Sequence, residues 1–108
     1  MAADQVPAKN MGVYEIFFGR KVYTTNLIPS LHSKTKAPIV SVALHSDNFT
    51  NRLYIRYGSK NTYEEESPYS AKAMNKEIEN IININPEDYN WEYKRFKKQE
   101  VEDKTIYK

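Results

Sequence analysis

Hydrophobic and polar positions change their rhythm several times along this chain, and each change marks an element. Residues 12–18 (GVYEIFF) are short, aromatic and β-branched, and bounded by Gly12 and Gly19. That predicts a strand between turns, apolar on both faces at its end. In residues 27–36, Leu27, Ile28 and Leu31 recur among polar Ser30, Ser33 and Lys34, a spacing that predicts one amphipathic helix. Asn26 is placed to cap it, and Pro29 falls in the first turn, where a missing N–H is harmless. Residues 37–44 (APIVSVAL) are almost continuously apolar, which predicts a strand covered by helices on both faces, as in a parallel sheet. Strand, helix and strand at that spacing complete a βαβ unit. Residues 52–57 (RLYIRY) alternate instead, so an antiparallel partner near an edge is expected, reached through the turn at Ser46, Asp47 and Asn48.

Residues 58–69 hold Gly, Ser, Asn, Pro and the acidic run Glu64, Glu65 and Glu66, and predict a loop. A helix then opens at Ser67-Pro68 or Ser70 and carries Met74, Ile78, Ile81 and Ile82 at helical spacing until Pro86 stops it. Residues 86–89 predict a turn leading into a short helical segment, and residues 100–108 a frayed tail. The order of elements predicts an α/β domain over residues 1–108, a small mixed sheet with flanking helices. Its first strand has no evident partner, so the isolated chain is expected to be marginally stable or self-associating through that strand and the apolar face of the 74–82 helix.

Composition narrows the class. The 108 residues are 40% hydrophobic and 28% charged, as in a globular domain. There is no run of about 18 apolar residues to span a bilayer. Sixteen Lys and Arg against 14 Asp and Glu leave a net charge of +2, far from the one-sided balance of a typical nucleic-acid binder. The absence of cysteine excludes disulfides and thiolate metal sites. Met1-Ala2-Ala3-Asp4 lacks the basic-then-apolar order of a secretory signal.

Residues 71–97 (AKAMNKEIENIININPEDYNWEYKRFK) resemble the closing segment of the bacterial lipid A late acyltransferases, the lauroyl and myristoyl transferases: a Met-Asn helix, then Pro-Glu-x-Tyr-x-Trp, then Arg-Phe-Lys. The resemblance extends upstream. Asp4-Gln5-x-Pro7 and Phe17-Phe18-Gly19-Arg20 are similar to the family's Asp-Gln segment and its Phe-Phe-Gly strand end, and Tyr23-Thr24-Thr25 to its Thr-containing stretch. Ala37-Pro38-Ile39-Val40-Ser41-Val42 resembles its Ala-Pro-Val-Val-Pro-Val strand, with Ser41 where Pro is usual. Order and spacing agree from Asp4 to Lys98. The resemblance implies a partial layered α/β acyltransferase fold, the C-terminal half of the domain. It also implies transfer of a fatty acyl group from an acyl carrier protein thioester to a hydroxyl of a lipid A precursor, at the cytoplasmic face of the inner membrane, without metal or cofactor.

In that family a His acts as general base and an acidic residue five positions later orients it. His32 and His45 are the two histidines, and five places on stand Ala37 and Thr50. Neither fits, so no catalytic residue is assigned and the chain is expected to be inactive alone. By resemblance Asp4 and Gln5 lie at the cleft rim; the plain alternative is a turn before a strand. Arg20 follows a strand end, where α/β sheets collect ligands, and is a candidate phosphate contact or an ordinary loop cation. Lys94, Arg95 and Lys97 interleave with Tyr89, Trp91, Tyr93 and Phe96, and are expected to approach anionic headgroups while Trp91 and Phe96 pack inward. The alternative functions are a non-enzymatic basic and aromatic module for nucleic acid, or an interaction domain.

Overall fold

A computed structural model describes residues 3–63 and 67–97. Two antiparallel hairpins, β1 (Gly12–Phe17) with β2 (Arg20–Thr25) and β3 (Val40–Ser46) with β4 (Asn51–Tyr57), flank α1 (Leu27–Thr35) and precede the long helix α2 (Ser67–Ile84). The class is α/β, as the patterning predicts. Short 3-10 turns at Lys60–Tyr63 and Pro86–Asp88 bracket α2. The predicted acidic turn at residues 64–66 and the predicted tail at residues 100–108 lie outside the described residues.

The first hairpin is built by its Phe-Phe-Gly corner. Phe17 faces Arg20 across the ladder, leaving a two-residue loop whose members, Phe18 (φ 46) and Gly19 (φ 77), both have positive φ. That is the backbone of the turn that best matches strand twist, and Gly19 adopts it freely whereas Phe18 does so under strain. Phe18 is held there by its N–H, which donates to Glu79 Oε1 on α2 at 2.7 Å, and by ring contacts with Phe17 and Trp91. Gly12 opens the strand because a side chain there would run into the Thr24 carbonyl and the Pro7 ring.

The core lies between this hairpin and α2. Phe17, Val22 and Ile82 are fully or nearly buried, with Ile78, Tyr89 and Phe96 packed against them. Met74 and Ile81 are buried too, so the apolar stripe of α2 meets partners within the chain and is not the exposed face expected from the sequence. The first strand likewise finds its partner in β2, a strand the hydropathy pattern does not announce. No parallel pairing exists among the described residues: β1 pairs with β2 and β3 with β4, so the βαβ reading is corrected.

The second correction concerns β3. Val40, Val42 and Leu44 share one face with Leu53, Ile55 and Tyr57, and all six are 39–76% exposed. Continuous apolarity here marks an uncovered sheet face rather than a strand sandwiched by helices. At its turn, Asp47 Oδ1 accepts from the N–H groups of Phe49 (2.9 Å) and Thr50 (2.8 Å). Those donors hold the Asp47 carboxyl below the usual carboxylate range. Asn26 makes no side-chain cap on α1; Thr25 Oγ1 accepts the Leu27 N–H at 3.2 Å instead.

Candidate functional site

Three segments far apart in sequence converge on Thr24 of β2. Asn75 on α2, fully buried, donates from Nδ2 to the Ile16 carbonyl and to Thr24 Oγ1, each at 3.0 Å. Arg95, 1% exposed, donates from its guanidinium to the Tyr23 carbonyl at 2.8 Å and to Thr24 Oγ1 at 3.1 Å, and stacks over the Phe17 ring at 5.4 Å. A buried guanidinium is stable only where its donors meet acceptors, and its planar fork suits a backbone carbonyl beside a hydroxyl. Asn75 and Arg95 are thus the pins that fasten α2 and the chain's last described segment to β2. The sequence reading placed Arg95 at a surface facing anionic headgroups; the structure places it in the core.

A rim forms where the two ends of the described chain meet. The Val6 N–H donates to the Tyr93 hydroxyl at 2.7 Å, bringing the Asp4-Gln5 segment beside residues 89–97. Gln5 is exposed and Asp4 half-buried. Lys94 and Lys97 are exposed, the Lys97 ammonium lying 5.5 Å from the Tyr93 ring centre. Arg20 is exposed just past the turn whose Phe18 ring meets Trp91. Phe96 packs inward as expected, with Tyr89 beside the same cluster, but Trp91 is 54% exposed and its indole N–H donates to the Pro86 carbonyl at 2.7 Å.

Tyr89 marks the inner side of this rim. Burial, followed by the Asp4 carboxylate charge, pushes its hydroxyl up to about 12. A raised value means that the fold favours neutral Tyr89. Its contribution to stability is complete below the ordinary tyrosine range of about 10 and is lost as pH climbs toward about 12. A pH-jump titration of tyrosinate absorbance, read before alkaline unfolding, is expected to show a late component that Tyr89→Phe removes. An unchanged curve in the variant would contradict this placement.

Both histidines are engaged. His32 Nδ1 lies 2.8 Å from the Ala37 carbonyl, so that nitrogen carries the proton, and its ring meets Tyr63 edge-on. His45 is buried with Nδ1 3.3 Å from Asp88 Oδ2, and the same carboxylate oxygen accepts from the Ser46 N–H (2.7 Å) and Asn85 Nδ2 (3.1 Å). A His and an acid therefore do meet, 43 residues apart rather than five. The geometry is that of a clamp: one carboxylate ties the end of β3 to the turn after α2. His45 Nε2 is buried without a hydrogen-bond partner among the described residues. The sequence spacing test for a dyad could not find this pair.

Among the described residues no cluster of His, Asp and Glu could hold a metal ion, and no helix is long and apolar enough to cross a membrane. No curated protein matches the chain. Residues 1–98, all but the last ten, match the family described as bacterial lipid A biosynthesis acyltransferase. The match covers the Phe-Phe-Gly corner, the Met-Asn helix and the Arg-Phe-Lys pin together, and the chain belongs to the bacterial lipid A biosynthesis acyltransferase family.

Proposed function

We propose that the chain serves acyl transfer from an acyl carrier protein thioester to a hydroxyl of a lipid A precursor by holding the acceptor, and that the proton-abstracting base lies outside these 108 residues. Family membership supports the substrate class. The observation that carries the reading is the Val6 to Tyr93 hydrogen bond, which brings the segment after Asp4 and Gln5 beside the segment that carries Lys94 and Lys97. In the reaction, the base takes the hydroxyl proton as the oxygen attacks the thioester carbonyl, and the thiolate leaves. Asp4 and Gln5 orient the sugar, and Lys94 and Lys97 meet anionic groups of the glycolipid or of the cytoplasmic leaflet. Arg20 is a further phosphate contact; Arg95 acts by holding the rim in place.

Vesicle flotation tests this. Lys94→Glu with Lys97→Glu is expected to weaken binding to vesicles carrying a phosphorylated lipid A precursor by about tenfold or more, each cation contributing about 1 kcal/mol near an anionic surface. Binding should also fall with salt. Equal binding by the double variant and the parent would refute the rim.

A further inference from the structure

The corner between β1 and β2 contains a strained residue, and the group that keeps it there is a buried acid. Phe18 has φ 46, in the left-handed region that bulky side chains rarely enter, and Gly19 follows at φ 77. Such a conformation persists only where its surroundings fix it. Glu79 of α2, 9% exposed, supplies the fixing bond: its Oε1 accepts the Phe18 N–H at 2.7 Å, while Oε2 accepts from Lys76 Nζ at 3.2 Å. Where only packing is at stake, an apolar residue of similar size serves as well as a buried charge. What the carboxylate adds is the fixed turn.

The turn decides where β2 begins, and so the face on which Arg20 lies. Phe17 stands opposite Arg20 in the ladder, and Val22 and Thr24 follow Arg20 on the same face by alternation. That face is the one packed against α2 and the last described segment: Phe17 and Val22 share the core cluster with Phe96, and Thr24 meets Asn75 and Arg95. Arg20 is thus the exposed end of the buried face, on the side of the sheet that carries Phe96 between Lys94 and Lys97. A one-residue slip at the corner would turn it to the opposite face. The Phe18 ring, fixed by the same turn, reaches Trp91 at 6.2 Å.

We propose that Glu79 is a positioning residue for anion binding: by holding the Phe18 N–H it fixes the register of the corner and aims Arg20 at a phosphate of the bound acceptor. The inference rests on the reading of Arg20 as a phosphate contact in the acyl-transfer function. Its sign makes it distinctive. Glu79 is itself an anion, so charge alone predicts that removing it strengthens binding to an anionic surface, whereas positioning predicts that removing it weakens binding.

The test is flotation of the full chain with phosphatidylcholine vesicles carrying a phosphorylated lipid A precursor. Arg20→Ala and Glu79→Ala are each expected to weaken binding by about fivefold, the effect of one cation near an anionic surface, and the double variant should lose no more than either. Two conservative variants separate reach from charge. Glu79→Asp keeps the charge but draws the oxygens back by one methylene, and should bind as weakly as Glu79→Ala; Glu79→Gln keeps the acceptor without the charge, and should bind like the parent. These two decide the matter if Glu79→Ala does not fold. In a Phe18→Gly background, where glycine enters the left-handed region freely, Glu79→Asp should no longer weaken binding. If Arg20→Ala binds weakly while Glu79→Asp binds like the parent or more tightly, the positioning role is overturned and the Arg20 contact stands. Losses that add in the double variant overturn it in the same way. Parent-level binding by Arg20→Ala overturns the contact itself, and the inference with it.

Discussion

Arg95→Ala is expected to destabilise the fold by about 3–5 kcal/mol, since it removes two buried hydrogen bonds from a charged donor, each contributing about 1.5–3 kcal/mol. The guanidinium is 1% exposed and donates to the Tyr23 carbonyl and Thr24 Oγ1, so truncation removes two buried hydrogen bonds and leaves Thr24 Oγ1 to Asn75. It also takes away the cation above the Phe17 ring. Because a domain of this size has a total stability of about 5–15 kcal/mol, the loss would bring the protein close to unfolding at ambient temperature. The neighbouring cation supplies the control. Lys94 is exposed, and Lys94→Ala should change stability by less than about 0.5 kcal/mol. Urea melts would separate the two, since a change in midpoint with an unchanged slope reports stability alone. Similar midpoints for both variants would mean that Arg95 is not the pin described above.

Phe17→Ala carries the other large effect, about 3–5 kcal/mol, from lost burial and the cavity left behind. Phe17 is fully buried, contacts Phe18 and Phe96 through its ring, and anchors the cluster with Val22 and Ile82. Because the Arg95 guanidinium lies over the same ring, the two substitutions should not add. A double-mutant cycle is expected to return a coupling of about 0.5–3 kcal/mol between them. Additive losses would show that ring and cation are held independently.

These two residues also show how far the sequence could be read. Phe17 sits in an aromatic run ending at glycine, and hydropathy alone marks it as core. The same holds for Met74, Ile81 and Ile82, whose helical spacing announces the buried stripe of α2, and for the Asp47 turn between β3 and β4. Arg95 does not announce itself. A cation among Lys94 and Lys97 reads as surface, and its burial depends on acceptors supplied 71 and 72 residues away. Strand β2 hides for a related reason. Its buried Thr24 and Thr25 are polar, and what makes their burial tolerable is Asn75 and Arg95 at Thr24 and the Leu27 N–H at Thr25, not a pattern in residues 20–25. For β3 the error ran the other way. An apolar run carries no information about whether anything covers it, and here six apolar side chains of one face stay open.

The exposure of Lys94 and Lys97 and the lack of a His with an acid five positions on were legible because both are local features. The meeting of Asp4 with Tyr89 and of His45 with Asp88 was not, because each joins distant segments.

The measurement that bears most directly on the account is acyl transfer by the chain unaided, with a lauroyl or myristoyl acyl carrier protein thioester and a lipid A precursor hydroxyl. The account predicts no acylated product, with parent and His45→Ala indistinguishable, because neither His32 nor His45 is followed five positions on by the acidic residue that the family's base requires. Turnover by the parent, and above all turnover lost in His45→Ala, would contradict it.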